Sequence, residues 1–208
     1  MIRLYDYPMS GNCYKVRPLA AFLGIELALI PVDFYPGRAH RDAAFLAINP
    51  LGQIPVLEDG DLRLRDAQAI LVYLAAKYDG TRTWYPSHPE TMGKIGMWLA
   101  FAERITATAS AARLHDAMQY DFDIERCRAE AHAALQILDE HLWFAEAGGA
   151  AWIATNDHPT IADIACFPYI MLSEEGGISR EDYPAIRRWT DRVKGIKGFI
   201  TMPGIFPR

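Results

Sequence analysis

Residues 49–57 read NPLGQIPVL, and eight residues further on positions 66–70 read DAQAI. Ile54 to Glu58 has the composition of a strand, yet Pro55 cannot donate to a central ladder. Asp59-Gly60-Asp61 is a turn signal and Leu62 to Leu64 supplies a second strand, so the stretch predicts a β-hairpin. Asp66 then stands where an N-cap belongs, ahead of Ala67, Ile70, Leu71, Leu74 and Ala75 on one helical face. A hairpin running directly into a capped helix points to an α/β layer.

Upstream, Ile2 to Tyr5 is a short β-type run, broken by Pro8, Ser10, Gly11 and Asn12. Val16, Leu19, Ala20 and Leu23 then recur at helical spacing as far as Gly24. Pro18 has no N–H to donate, so it fits a first turn or distorts the helix. A strand over 27–33 and a short helix over 42–48 complete a β-α-β-α-β-β-α order for residues 1–78. Residues 79–90, DGTRTWYPSHPE, hold Gly80, Pro86, Pro89 and few aliphatics, which suits an interdomain linker. From 91 to 208 the strand-type alternation is gone. Helices are expected over 91–118, around Ala131, Leu135, Leu138 and Leu142, and over 160–172 and 184–196, a helical bundle.

A chain of 208 residues that is 51% hydrophobic can bury a substantial core. Its net charge of -5, with no basic run, gives no footprint for nucleic acid or an acidic membrane surface. Cys13, Cys127 and Cys166 are widely spaced without a CxxC, which argues against a disulfide framework or a zinc site and favours a reducing compartment. The opening MIRLYDYPMSGN lacks the apolar core of a signal peptide, and no 18 consecutive residues are apolar. The expectation is a cytoplasmic protein that needs no metal.

The two stretches quoted first, together with HPTIADIACFPY (His158 to Tyr169), resemble the cytosolic glutathione transferase superfamily. The resemblance covers essentially the whole chain. It implies a thioredoxin-like N-terminal domain, an all-α C-terminal domain, glutathione as co-substrate and a homodimer. In the third stretch, Thr160 as N-cap with Asp163 three residues on makes a capping-box-like start, which is read as structural.

The resemblance also assigns a glutathione site. A cis Ile54–Pro55 bond would turn the backbone of Ile54 outward to pair with the cysteinyl unit. Asp66 would face the γ-glutamyl ammonium, and the helix N-terminus behind it the carboxylate. The usual partner of that acid is serine, whereas position 67 is Ala, so a hydrogen bond worth about 1.5–3 kcal/mol is missing. His40 and Arg41 match a His-Lys pair near the glycyl carboxylate, and Gln53 matches another contact position.

SGNCYKVR (Ser10 to Arg17) resembles the serine-type active-site pattern, with Ser10 on the catalytic serine. A hydroxyl donor and helix N-terminal N–H groups beside the sulfur would favour its thiolate. The same segment is similar to the TPNG pattern of Nu-class disulfide reductases, which makes Asn12 a second candidate. Cys13 is a third, through a mixed disulfide, while Tyr5 and Tyr7 are out of register. An acceptor pocket for a small electrophile is expected along the first long helix of the bundle and the C-terminal tail. Its candidates are Trp98, Phe101, Ile105, Arg113, His115 and Tyr120. Arg113 and His115 either take an anionic substrate or form a polar helix face. The leading function is conjugation of glutathione to an electrophile. The alternatives are glutathione-dependent disulfide reduction and a non-catalytic ligand- or partner-binding module.

Overall fold

Leu4 lies opposite Leu29 on one side and Leu57 on the other, and these pairings fix the central register. The computed structural model describes residues 1–207. Strand β1 (Ile2–Asp6) pairs in parallel with β2 (Leu27–Pro31) and antiparallel with β3 (Val56–Asp59). β3 turns through Gly60 into β4 (Leu62–Arg65), giving the order β2-β1-β3-β4. β4 is an open edge carrying Arg63 and Arg65, charges that discourage pairing with another sheet. Arg63 also bonds Glu58, its cross-strand partner, at 2.7 Å.

Helices α1 (Gly11–Phe22) and α3 (Ala67–Tyr78) pack on each other, and the short α2 (Ala43–Leu46) sends Phe45 onto Tyr5 and Val56 in a separate, smaller cluster. α1 runs on through Pro18, which lies past its first turn, and α7 likewise contains Pro168. The helical half consists of α4 (Pro89–Ile105), α5 (Ala111–Met118), α6 (Ile124–Ala147), α7 (Ile161–Met171) and α8 (Pro184–Lys194). No helix among the described residues is long and apolar enough to cross a membrane.

One apolar core runs through both halves. It joins Leu4, Leu57, Leu19 and Ile70 to Ile95, Ile161, Ile164 and Trp189. α7 joins the two halves, packed on α1 and α3 as well as on α4. Its start is the expected capping box: the Thr160 N–H donates to Asp163 at 2.8 Å and the Thr160 hydroxyl accepts the Ala162 N–H at 3.3 Å. Asp163 is fully buried and also accepts from Trp189 Nε1 and the Ile153 N–H.

Between α4 and α5 the single helical turn Thr106–Ser110 is of the π type. Its sequence, TATAS, explains the irregularity. The Thr106 and Thr108 hydroxyls donate back to the carbonyls of Ala102 and Arg104, at 2.9 and 2.8 Å, which competes with the helix's own ladder.

Candidate active site

A cleft of about 470 Å³ opens between the two halves. The β1–α1 turn contributes Tyr7, Met9, Ser10 and Asn12; the 52–55 loop and the start of α3 complete that wall. Facing them are Glu103 of α4, Thr106, Ala107 and Ser110 of the π turn, Arg113 of α5, and Tyr120 and Phe122 beyond it.

Ser10 is the N-cap of α1. Its Oγ accepts the Cys13 N–H at 3.2 Å, its N–H donates to Tyr7 and its carbonyl accepts from Tyr14. The hydroxyl proton is the donor left uncommitted. The helix N-terminus offers less than the sequence suggests. Asn12's N–H is spent on the phenol oxygen of Tyr169 at 3.2 Å and Cys13's on Ser10, leaving Gly11's as the one without a partner among the described residues. Gly11 is required here, because a Cβ would stand 2.6 Å from the Tyr169 ring. Asn12 lines the cleft with its side-chain oxygen buried and unpaired.

Cys13 turns the other way. It is fully buried among Val32, Phe45, Ile54 and Val56, its Sγ 3.9 Å from the Tyr5 carbonyl, and burial pushes its thiol up to about 12. It lies outside the cleft. Tyr5 is buried in the same cluster, whereas Tyr7 reaches the cleft.

The 49–55 loop is held by Asn49, itself buried. Asn49 Nδ2 donates to the Gln53 carbonyl at 2.7 Å and Oδ1 accepts the Leu51 N–H at 3.1 Å. Gly52 has φ 58°, and a Cβ there would come within 2.9 Å of the His40 carbonyl. That close approach sets His40 and Arg41 beside Gln53. His40 is buried and stacks on Phe34 at 4.0 Å between centroids. Burial, then the charges of Arg41 and Arg38, lower its pKa, so the ring is neutral at pH 7 and exposed Arg41 supplies the charge. The Ile54–Pro55 bond is cis, and neither backbone group of Ile54 has a partner among the described residues.

Asp66 adopts φ 80°, an uncommon conformation for a residue with a Cβ, while its carboxylate caps α3 through the Ala69 N–H at 2.9 Å. The N–H groups of Ala67 and Gln68 remain free of partners among the described residues. Glu103 approaches the same end of the cleft and accepts a hydrogen bond from the Gln68 amide. Burial raises the Glu103 carboxyl, opposed by the charge of Lys15. Lys15 is fully buried, its Nζ unpaired and 5.5 Å from the centroid of the Tyr169 ring, and burial brings it down to about 8.

Of the six acceptor candidates, Arg113 and Tyr120 line this cleft. Trp98 and Ile105 belong to the core, and Trp98 and Phe101 face a separate groove with Met97, Ile137 and His141. His115 pairs with Asp116 at 2.9 Å. The C-terminal tail is also displaced from the expected wall. It docks on α1, where the Tyr14 hydroxyl donates to the Ile200 carbonyl at 2.6 Å, and the α5–α6 connection takes its place. Sequence reasoning missed Glu103 and Tyr169. An acid inside the apolar run WLAFAERI was the available signal for the first. For the second there was none, since Tyr169 ends a motif read as structural.

Residues 1–76 match the family description "Glutathione S-transferase, N-terminal domain", and residues 121–192 match "Glutathione S-transferase, C-terminal domain". Glutathione S-transferase theta-2B of Homo sapiens is 30% identical over 184 residues, covering 84% of this chain and 73% of that protein. Among solved structures, a glutathione S-transferase from Pseudomonas fluorescens Pf-5 superposes with a TM-score of 0.86 at 28% identity, over 97% of this chain and 98% of that one. Another from Xanthobacter autotrophicus Py2 gives 0.84 at 28% identity, over 98% of each chain. The two halves match in the order the fold requires, on either side of the cleft, and the chain belongs to the glutathione S-transferase family.

Proposed function

We propose that the protein conjugates glutathione to a small electrophile, with Ser10 holding the thiolate. The observation that carries this reading is the state of the Ser10 hydroxyl. Its Oγ accepts one bond, from the Cys13 N–H, and its proton has no acceptor among the described residues, which leaves it able to donate into the cleft. The surrounding residues fit glutathione in charge and polarity. The unpaired backbone of Ile54 suits a peptide, and Asp66 and Glu103 suit an ammonium group. The free N–H groups of Ala67 and Gln68 suit one carboxylate, and Arg41 the other.

Bound glutathione supplies a thiol, whose ordinary pKa of about 8.5 leaves a few per cent ionised at pH 7. Ser10 donates to the sulfur, and the charge-assisted bond with the α1 dipole favours the anion. Two pKa units require about 2.7 kcal/mol, within reach of those two effects. Tyr7, Phe34, Leu114, Met118, Tyr120 and Phe122 give the electrophile an apolar seat. Disulfide reduction loses its cysteine, since Cys13 is sealed in the core, and rests on Asn12. We further infer a homodimer, which light scattering tests against a 23.4 kDa monomer.

The deciding experiment is Ser10→Ala, read by ultraviolet titration of the bound thiolate and by turnover with an aryl halide at pH 7. The bound thiol should rise toward about 8.5 and conjugation should slow by up to about thirtyfold, with glutathione affinity nearly unchanged. Unchanged turnover in Ser10→Ala alongside a collapse in Asn12→Ala would sink the serine mechanism.

A further inference from the structure

Arg113 is only 4% exposed, on the helical wall of the cleft. Its Nε donates to Glu175 at 2.5 Å. Its Nη1 crosses to the other domain and donates to the carbonyl of Met9, the residue before Ser10, at 2.9 Å. Its Nη2 is buried without a partner. An arginine kept only for an ion pair would direct its fork at the carboxylate. This one directs a nitrogen at the turn that carries the serine. The Glu175 side chain is 38% exposed and that of Arg113 5%, so water screens the countercharge more than the guanidinium. The field of Arg113 is felt at two cleft phenols. Burial raises both Tyr7 and Tyr169, and the Arg113 charge opposes it in each. Other charges facing the cleft are the carboxylates of Asp66 and Glu103 and the guanidinium of Arg41.

We propose that Arg113 is a positioning residue for the thiol, holding the Met9–Ser10 turn from the opposite domain and lending its positive charge to the anionic sulfur. The proposal rests on the glutathione-transferase reading above. It makes the nucleophile a joint product of both domains: Ser10 lies on one, and part of the field that ionises the thiol comes from the other.

The test uses the full-length protein, with the bound thiol of glutathione titrated by ultraviolet absorbance and affinity measured by calorimetry. Arg113→Met should raise the bound-thiol pKa by about one unit, a tenfold change in the ionisation constant, with affinity nearly unchanged. Arg113→Lys should recover more than half of that shift. Glu175→Gln removes the countercharge while leaving Arg113 in place, and should move the pKa down. A merely structural role predicts that both changes, which break the same ion pair, shift it in one direction. An unchanged pKa in Arg113→Met, or an upward shift in Glu175→Gln, overturns the proposal. Should Arg113→Met fail to fold, Glu175→Gln alone decides by its sign. No saturable glutathione binding by the unaltered protein would remove the underlying transferase reading instead, an outcome distinct from a variant that binds without a shift.

Discussion

Tyr169 of α7 and Gly11 of α1 fit each other only because residue 11 has no side chain: a Cβ would lie 2.6 Å from the ring. The same phenol accepts the N–H of Asn12, so one tyrosine of the helical half sets the start of the helix that carries Ser10. Gly11→Ala should therefore destabilise the protein by about 1–3 kcal/mol through overpacking. Combining it with Tyr169→Ala should recover part of that loss. Denaturant melts of the two single variants and the double variant give the coupling energy, and strict additivity would show that the two residues do not share the strain.

Thiol reactivity offers a test of where the cysteines lie. Cys13 and Cys166 are fully buried and burial raises both thiols to about 12, whereas Cys127 is partly exposed. A chromogenic disulfide reagent should label one thiol per chain in the native protein at pH 7 and all three in denaturant. Rapid native labelling of Cys13 would return the mixed-disulfide mechanism to consideration.

Ala67→Ser places a hydroxyl at the N-terminus of α3, beside the free N–H groups of residues 67 and 68. A hydrogen bond to a charged carboxylate is worth about 1.5–3 kcal/mol, and displaced water offsets part of it. Glutathione should bind about fivefold more tightly, or about 1 kcal/mol, by titration calorimetry. Equal or weaker binding would place the γ-glutamyl carboxylate elsewhere.

Lys15 makes a prediction about pH. Below about 8 both the folded and unfolded states hold its proton, and the folded state bears the full cost of burying it. Between about 8 and 10.5 the folded state has released the proton and the unfolded state has not, so stability from this group rises with pH. Lys15→Met should stabilise the protein at pH 7 by up to about 3 kcal/mol, and the advantage should shrink as the pH passes 8. Comparing the two proteins at each pH cancels the opposite contribution of Cys13, and keeping the comparison below pH 9 avoids that of Cys166, whose thiol feels the Lys15 charge. A difference that stays flat from pH 7 to 9 would mean that Lys15 is hydrated.

Asp163 accepts from Thr160, Ile153 and Trp189 inside the core, while the Thr160 hydroxyl accepts one helix N–H and donates one longer bond, at 3.3 Å, to Asp163. Asp163→Ala should cost on the order of 3 kcal/mol by leaving buried donors unpaired, against about 1 kcal/mol for Thr160→Ala. Chemical melts rank the two, and equal losses would mean that the carboxylate does no more than close the cap.

Local signals made the α/β half readable. The 60-centred turn, the Asp66 cap and the Pro55 strand start each depend on residues within a few positions of one another, so a single sequence exposes them. The cleft's other wall depends on contacts between distant segments. Helical spacing marked Trp98, Phe101 and Ile105 as apolar without saying which neighbour each would meet, and two of them fill the core. Arg113 stood out as a charge on a helix, but its partners Met9 and Glu175 lie 104 and 62 positions away. Pro18 lies inside α1 against its helix propensity, because the packing of a buried helix overrides that preference.

The π turn at 106–110 bears on how this wall can change through descent. A widened turn accommodates one residue more than a regular helix needs, and does so locally, leaving the flanking turns in phase. Loss of a single codon within Thr106–Ser110 would let α4 and α5 fuse into one regular helix while Arg113 kept its place. The side chains of Thr106, Ala107 and Ser110 would be redistributed around the axis, and the helical wall of the cleft would be reshaped. The cleft can thus be reshaped by a length change of one residue, in a segment separate from the β1–α1 turn, the 52–55 loop and the start of α3.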